Sequence, residues 1–108
     1  MDPWAWPESR RFWTIFDASA VTILTGDKKT PKTFAVQDIN ACLARFRGDP
    51  FPLSNSKTAE DRDPKGLGEY FAQNFGSSVF ASHFAALWVH QKLLEPSLRL
   101  GAWWFRVP

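Results

Sequence analysis

Hydrophobic and polar residues recur with clear periods in the C-terminal half of the chain. The apolar residues of Leu67–Phe75 and of Ser78–Lys92 return every three or four positions, which predicts two helices. Gly76 lies between them, at a position typical of a helix end. After the second helix, the stretch LLEPSLRLGAWWFRVP predicts a short connection and two extended segments around a Leu100-Gly101 turn.

The pattern of Glu8–Thr25 fits either of two structures. Six apolar residues have helical spacing, and Gly26 could end such a helix. β-Branched residues are also frequent, so a hairpin around Asp17-Ala18-Ser19 is the alternative. We favour the helix, because the apolar set fits a period of 3.6 better than a period of 2.

The middle of the chain predicts a strand, a helix and a long loop. Thr33–Val36 is short and apolar, which suits a strand. Asp38 is a suitable N-cap for a helix that ends near Arg47-Gly48. Asp49–Gly66 has three prolines and no periodicity, so we expect a mobile or functional loop.

Length and composition suit one globular domain. The chain has 108 residues, of which 44% are hydrophobic and 22% charged. We expect a Pro/Trp-rich arm at Met1–Pro7, followed by a single domain over residues 8–108. Six tryptophans are unusual for this length. They predict a small core built from large rings, with surface anchors for a partner as the alternative.

Charge and targeting signals narrow the classes of function. The formal net charge of +2 and the pI near 8.9 permit contact with nucleic acid, although no basic run exceeds two residues. The single cysteine, Cys42, excludes an intrachain disulfide and fits a reducing compartment. There is no signal-peptide pattern and no apolar run long enough to cross a bilayer. We expect an intracellular protein, cytoplasmic or nuclear/nucleoid, with no membrane partner.

The predicted order is helix, strand, helix, loop, helix, turn, helix, strand, strand, across roughly Glu8–Pro108. This order resembles the winged helix-turn-helix superfamily. The residues that carry the resemblance are Thr33–Phe46 (TFAVQDINACLARF), Leu67–Lys92 (LGEYFAQNFGSSVFASHFAALWVHQK) and Leu93–Val107. The resemblance implies an α+β fold with three to four helices and a small antiparallel sheet that ends in a C-terminal hairpin.

The resemblance also implies roles for the last elements. Leu67–Phe75 would be the positioning helix, Ser78–Gln91 the recognition helix, and the hairpin about Ser97–Gly101 the wing. In such domains the recognition helix enters the major groove and the wing touches the backbone or the minor groove. Here the recognition helix has no Arg and one Lys, at its end. Its expected outer face is small and nearly uncharged: Ser78, Ser82, Ala85, Ala86, Val89 and His90.

Two functions remain open from the sequence. The first is a nucleic-acid-binding domain, with DNA as the expected partner, in which contacts to phosphates dominate because small side chains read few bases. Its candidate contacts are Lys28, Lys29, Lys32, Ser78, Ser82, His90, Lys92, Arg99 and Arg106, with Arg99 first because it lies beside the wing turn.

The alternative is a protein-interaction module that binds a partner or a second copy of itself. Its candidate contacts are Trp4, Trp6, Trp103 and Trp104. Trp103 and Trp104 are adjacent in a predicted strand, so they must point to opposite faces.

No residue pattern predicts catalysis. His83 and His90 lie seven positions apart, about 10 Å along a helix, which is too far to share one metal ion. Cys42 lies on the apolar face of its helix and reads as a buried thiol. We therefore expect no enzyme activity, no metal and no cofactor.

Overall fold

The computed structural model describes residues 12–25 and 28–108, and over these residues the protein is an α+β fold. Three α-helices and six strands lie in the described part, and the strands form two three-stranded antiparallel sheets. In chain order the elements are β1 (Phe12–Phe16), β2 (Ala20–Thr25), β3 (Thr30–Ala35), α1 (Val36–Arg45), β4 (Phe51–Pro52), a 3-10 turn (Ala59–Asp61), α2 (Leu67–Phe75), α3 (Phe80–His90), β5 (Glu95–Arg99) and β6 (Ala102–Arg106).

The chain divides into two compact units, Met1–Arg45 and Phe46–Pro108, and each is described by itself. The expected arm, Met1–Pro7, lies outside the described residues, as does Gly26. The extent of a single domain over residues 8–108 stays a prediction.

The first unit is a sheet in the order β1-β2-β3 with α1 packed against β2 and β3. On β2, Val21 and Ile23 are buried, whereas Thr22 and Leu24 between and beyond them are partly exposed. This alternation is the period-2 pattern of a strand with one buried face. Phe34 of β3 also lies in this core, and α1 buries its own apolar face through Ile39 and Cys42.

The helix that we favoured over Glu8–Thr25 is wrong: residues 12–25 form the alternative hairpin. Its turn is closed by the Asp17 carboxylate, which accepts hydrogen bonds from the N–H of Ser19 at 2.7 Å and of Ala20 at 2.8 Å. β-Branched residues dominate β2, where the pleated surface suits them better than a helix does. The helical spacing of the apolar residues was a coincidence of composition.

Two predicted boundaries in this unit move by a few residues. The predicted strand at Thr33–Val36 exists, but β3 already starts at Thr30 and ends at Ala35. Helix α1 starts at Val36, so Asp38 lies in its first turn and is not its N-cap. A carboxylate there is still favourable, because it faces the positive end of the helix dipole.

The second unit contains the helices predicted from the C-terminal pattern. Helix α2 has the predicted bounds and is followed by Gly76 in the left-handed conformation, with φ of 80°. Its Phe71 ring lies 5.5 Å from the ring of Phe84 on α3, and Phe84 lies 5.5 Å from Trp88. These three rings are almost fully buried, so they join the two helices through one aromatic core.

The prediction of a loop over Asp49–Gly66 is partly wrong, because Phe51–Pro52 forms strand β4. Phe51 pairs with Phe105, and the sheet order is β4-β6-β5. The Leu53 N–H donates to the Trp103 carbonyl at 3.0 Å, and the Leu53 carbonyl accepts a hydrogen bond from the Gly68 N–H at 2.8 Å. A side chain on Gly68 would collide with the Ser54 carbonyl, so α2 can approach this segment only with glycine. A two-residue strand has no periodicity, which is why the pattern missed it.

Candidate interaction surface of the C-terminal hairpin

The hairpin predicted after the last helix is confirmed. We call Glu95–Arg106 the C-terminal hairpin. Helix α3 ends at His90, and the chain turns through Lys92, whose φ is +64°. Strands β5 and β6 then pair around Leu100-Gly101, with Arg99 opposite Ala102.

The pairing register defines two faces of the C-terminal hairpin. Phe105 is 1% exposed and shares its face with Trp103, whereas Trp104 lies on the opposite face. The prediction that the two tryptophans point to opposite sides is therefore confirmed. Both are partly exposed. The inner face packs against Phe51, whose ring lies 6.0 Å from that of Phe105.

Arg99 and Trp104 form a stacked pair on the outer face. The Arg99 guanidinium carbon lies 5.1 Å from the centre of the Trp104 ring, within the range of a cation–π contact. Arg99 itself is exposed. The ring orders an arginine that would otherwise sample many rotamers, so its charge is presented at a defined place beside the turn.

Arg106, in contrast to Arg99, forms an ion pair with Glu95. Its guanidinium donates to both carboxylate oxygens of Glu95, at 3.0 and 3.1 Å, across the hairpin. The pair is half exposed, so it adds little stability, but it compensates the positive charge locally. Of the two arginines predicted to contact phosphate, only Arg99 keeps an uncompensated charge among the contacts found in the described residues.

The most exposed apolar residues of the second unit lie on this hairpin and were missed by the sequence analysis. Leu98 is 62% exposed, and Leu100 is fully exposed. Leu100 also has φ of +49°, followed by Gly101 at +80°. Two successive positive φ values define a type I′ turn, which favours Asn or Gly at its first central position. The pair Leu-Gly at a two-residue turn was the signal that could have pointed to Leu100.

Helix α3 offers less to nucleic acid than its predicted outer face suggested. Ser78 is 3% exposed, and its hydroxyl donates to the carbonyls of Asn55 and Ser56 at 3.2 and 3.0 Å. Ala85 is fully buried. These two positions were expected on the surface, and the expectation is wrong. Ser78 precedes α3 and is buried against these carbonyls, and Ala85 belongs with Ala81, Phe84 and Trp88 to the one buried face of α3. Ser78 is therefore no longer a candidate contact.

The remaining candidates of the second unit lie at or near the surface. Ser82 is half-buried and donates its hydroxyl to the Val79 carbonyl at 3.2 Å. His90 and Lys92 are exposed, at the end of α3 and just beyond it. No Arg or Lys occurs within Phe80–His90.

The three lysine candidates belong to the first unit. Lys28, Lys29 and Lys32 are exposed, at the end of the β2–β3 connection and on β3. The ammonium of Lys29 lies 5.0 Å from the Trp13 ring, and that of Lys32 lies 5.9 Å from the Phe34 ring. Trp4 and Trp6 fall outside the described residues.

Burial shifts the pKa of two side chains, Cys42 and His83. Burial raises the pKa of the Cys42 thiol to about 12, so it stays protonated and is a poor nucleophile. Burial lowers the pKa of His83, which favours its neutral form. Within residues 12–25 and 28–108, no group of three or more His, Cys, Asp or Glu could hold a metal ion. No described helix has the length and apolar character that crossing a bilayer requires.

Comparison with protein-family models, with curated proteins and with solved structures gives no match to this chain.

Proposed function

We propose that residues 46–108 form a winged-helix module that binds a protein partner through the C-terminal hairpin. In this proposal α2 and α3 are the helix pair and the hairpin is the wing. The order of α2, α3, β5 and β6 supports the assignment, as does the pairing of β4 with β6.

One observation carries the choice of a protein partner: Leu100 occupies a place that the fold does not favour. A non-glycine residue at φ of +49° costs free energy, and Asn or Asp would reduce the cost. The side chain is fully exposed, so folding gains nothing from it in return. A local rule broken without a structural gain is expected at functional positions.

Nearby residues fit the same interpretation. Leu98 is exposed two positions before Leu100, so the turn end of the hairpin presents two aliphatic side chains. Apolar anchors that fill a pocket on the partner are typical of interface hot spots. A helix α3 without Arg or Lys suits a protein contact better than reading of the major groove.

The variant Leu100→Asn tests this proposal, because it removes the anchor and keeps a residue that the turn prefers. We expect at least a tenfold loss of affinity for the partner, since burying a leucine contributes about 1.5–3 kcal/mol. The matched control is Lys92→Asn, which also places Asn at an exposed position of positive φ.

The measurement has two steps. Proteins retained by the intact wild-type chain are compared with those retained by each variant, and the candidate is then purified and titrated by calorimetry. We expect a partner that Leu100→Asn releases and Lys92→Asn keeps. If Leu100→Asn retains the same proteins with the same affinity, the proposal is wrong.

A second candidate function is supported by the Arg99–Trp104 pair. An exposed guanidinium ordered on an aromatic ring suits a phosphate of nucleic acid, which was the first expectation from the sequence. We expect Arg99→Gln to weaken binding of a labelled duplex and to reduce the salt slope by about one unit. Arg106→Gln should change the affinity and the salt slope less, because Glu95 already compensates the charge of Arg106. Absence of binding to duplex or single strand at low salt would exclude this function.

A further inference from the structure

Strand β1 differs from the other edge strands of the two sheets. In the described residues the edge strands are β1 and β3 in the first sheet and β4 and β5 in the second. Three of them contain a proline: Pro31 in β3, Pro52 in β4 and Pro96 in β5. Proline lacks an N–H and blocks the addition of another strand, which is how natural sheets protect their edges. The sequence of β1, FWTIF, has neither a proline nor a charged residue.

The backbone N–H and carbonyl of Thr14 point away from β2, towards the outer edge of the sheet. The N–H of Asp17 donates to the carbonyl of Ala20 at 3.0 Å, which fixes the alternation of bonded and non-bonded pairs along β1 and β2. Ile15 and Trp13 therefore form bonded pairs with β2, whereas Thr14 opposite Ile23 does not. The N–H and carbonyl of Thr14 are directed at the outer edge.

The side chains around Thr14 are apolar and accessible. Trp13 is 41% exposed and Ile15 is 54% exposed, and both lie on the face opposite Val21 and Ile23. Exposed apolar residues on a regular strand with an unprotected edge are the features that favour pairing with another strand.

We propose that β1 pairs antiparallel with β1 of a second copy of this chain, around Thr14. Such a pair has a two-fold axis at Thr14, where the two threonines would exchange both N–H···O bonds. Trp13 would then lie opposite Ile15 of the second copy, and Ile15 opposite Trp13. Aromatic and β-branched residues are a favourable cross-strand pair, and the strand brings no like charges together. The match of FWTIF to itself in this register is the reason for choosing a second copy over an unrelated strand.

The first experiment measures the oligomeric state of the intact chain by sedimentation velocity from low to high micromolar concentration. We expect a reversible monomer–dimer equilibrium for the wild type. Thr14→Pro should raise the dissociation constant by about tenfold or more, because both bonds at the two-fold axis lose their donor. The variant costs no hydrogen bond within the sheet, since that N–H points outward.

The matched control is Thr33→Pro on β3. The N–H of Val36 donates to the Ser19 carbonyl, so the same alternation directs the Thr33 N–H outward at the other edge. We expect Thr33→Pro to dimerise like the wild type. Circular dichroism checks that both variants are folded. If Thr14→Pro does not fold, Ile15→Lys replaces it, because it places a charge against Trp13 of the second copy.

A second measurement separates the second copy from residues of the same chain. Amide hydrogen exchange at Thr14, read by NMR, should be slow in the dimer and become fast on dilution. A wild type that stays monomeric at every concentration would overturn the proposal, as would a dimer that Thr14→Pro and Ile15→Lys both leave intact. Slow exchange at Thr14 in a monomeric sample would assign the edge to another segment of the same chain, and would overturn it too. Leu100→Asn should not change any of these results.

Discussion

The two hairpins, β1–β2 and the C-terminal hairpin, differ in how their turns relate to their sequences. Asp17 closes the first turn with hydrogen bonds from its own neighbours, which is the usual use of Asp in a turn. The second turn has Leu100 at positive φ, and neither Leu100 nor Gly101 has a polar side chain that could hydrogen-bond to the backbone. The first turn therefore agrees with local preferences, and the second departs from them.

The unusual feature therefore lies in a different part of each hairpin. In the C-terminal hairpin the unusual feature is the turn, and the strands on either side are ordinary. In the first hairpin the turn is ordinary, and the unusual feature is the outer edge of β1, a strand that contains no proline and no charged residue. Each departure from a folding rule marks the place where we propose a contact.

The largest effect should come from the inner face of the C-terminal hairpin. Phe105→Ala removes a buried ring that packs on Phe51, so we expect a loss of about 3–5 kcal/mol in the free energy of unfolding. Trp104→Ala on the outer face is the comparison, because that side chain is only partly buried. Urea denaturation measures both. Equal losses would mean that the two faces are not distinct and that the turn is not the exceptional part of this hairpin.

A smaller effect is expected at the turn of the first hairpin. Asp17→Ala removes the acceptor for the Ser19 and Ala20 amides and should lower the melting temperature by several degrees. Asp17→Asn keeps an oxygen acceptor at the same place and should retain most of the stability. Thermal unfolding followed by circular dichroism gives both values. If Ala and Asn are equivalent, the side-chain bonds are not what holds this turn.

The sequence was sufficient where one element depends mainly on its own residues. Helix α2 and the C-terminal hairpin follow from periodicity, from Gly76 and from the Leu100-Gly101 turn, and the structure has them there. Strand β4 could not be predicted, because two residues carry no period and depend on pairing with β6. The first hairpin was misjudged because its apolar residues fit two periods, and burial against α1 and β3 decides between them.

The candidate site was predicted only in part for a similar reason. Arg99 beside the turn and the opposite faces of Trp103 and Trp104 follow from strand geometry alone. The compensation of Arg106 by Glu95 depends on the register of β5 and β6. The burial of Ser78 depends on carbonyls more than twenty residues earlier in the chain, which no local pattern contains.

Leu100→Asn should have a small effect of the opposite sign. Asn is better tolerated at positive φ than Leu, so the variant should be more stable by about 0.5–1 kcal/mol. Urea denaturation measures the gain, and Leu100→Ala is the control, because it shortens the side chain without relieving the backbone. A destabilised Leu100→Asn would show that Leu100 supports the fold, and the contrast between the two turns would no longer point to function.

The smallest expected effect is a pH dependence confined to the first turn. The hydrogen bond from the Ser19 N–H, followed by those from the Ser19 hydroxyl and the Ala20 N–H, lowers the pKa of Asp17 below its ordinary 3.8. The folded state thus favours the charged carboxylate, so this stabilisation is complete above pH 3.8 and is lost as the pH falls through the lowered pKa. The other turn, Leu100-Gly101, has no ionisable side chain.

Glu69 of the second unit also has a lowered pKa, because Arg62 donates a hydrogen bond to it, so the pH dependence of global unfolding would combine the effects of Asp17 and Glu69. The amide NMR signals of Ser19 and Ala20 report the turn directly: they should shift with a midpoint below pH 3.8, the Gly101 signal should not, and Asp17→Asn should abolish the shift. A midpoint at or above 3.8 would show that the carboxylate does not hold this turn, and the two turns would then differ less than their sequences suggest.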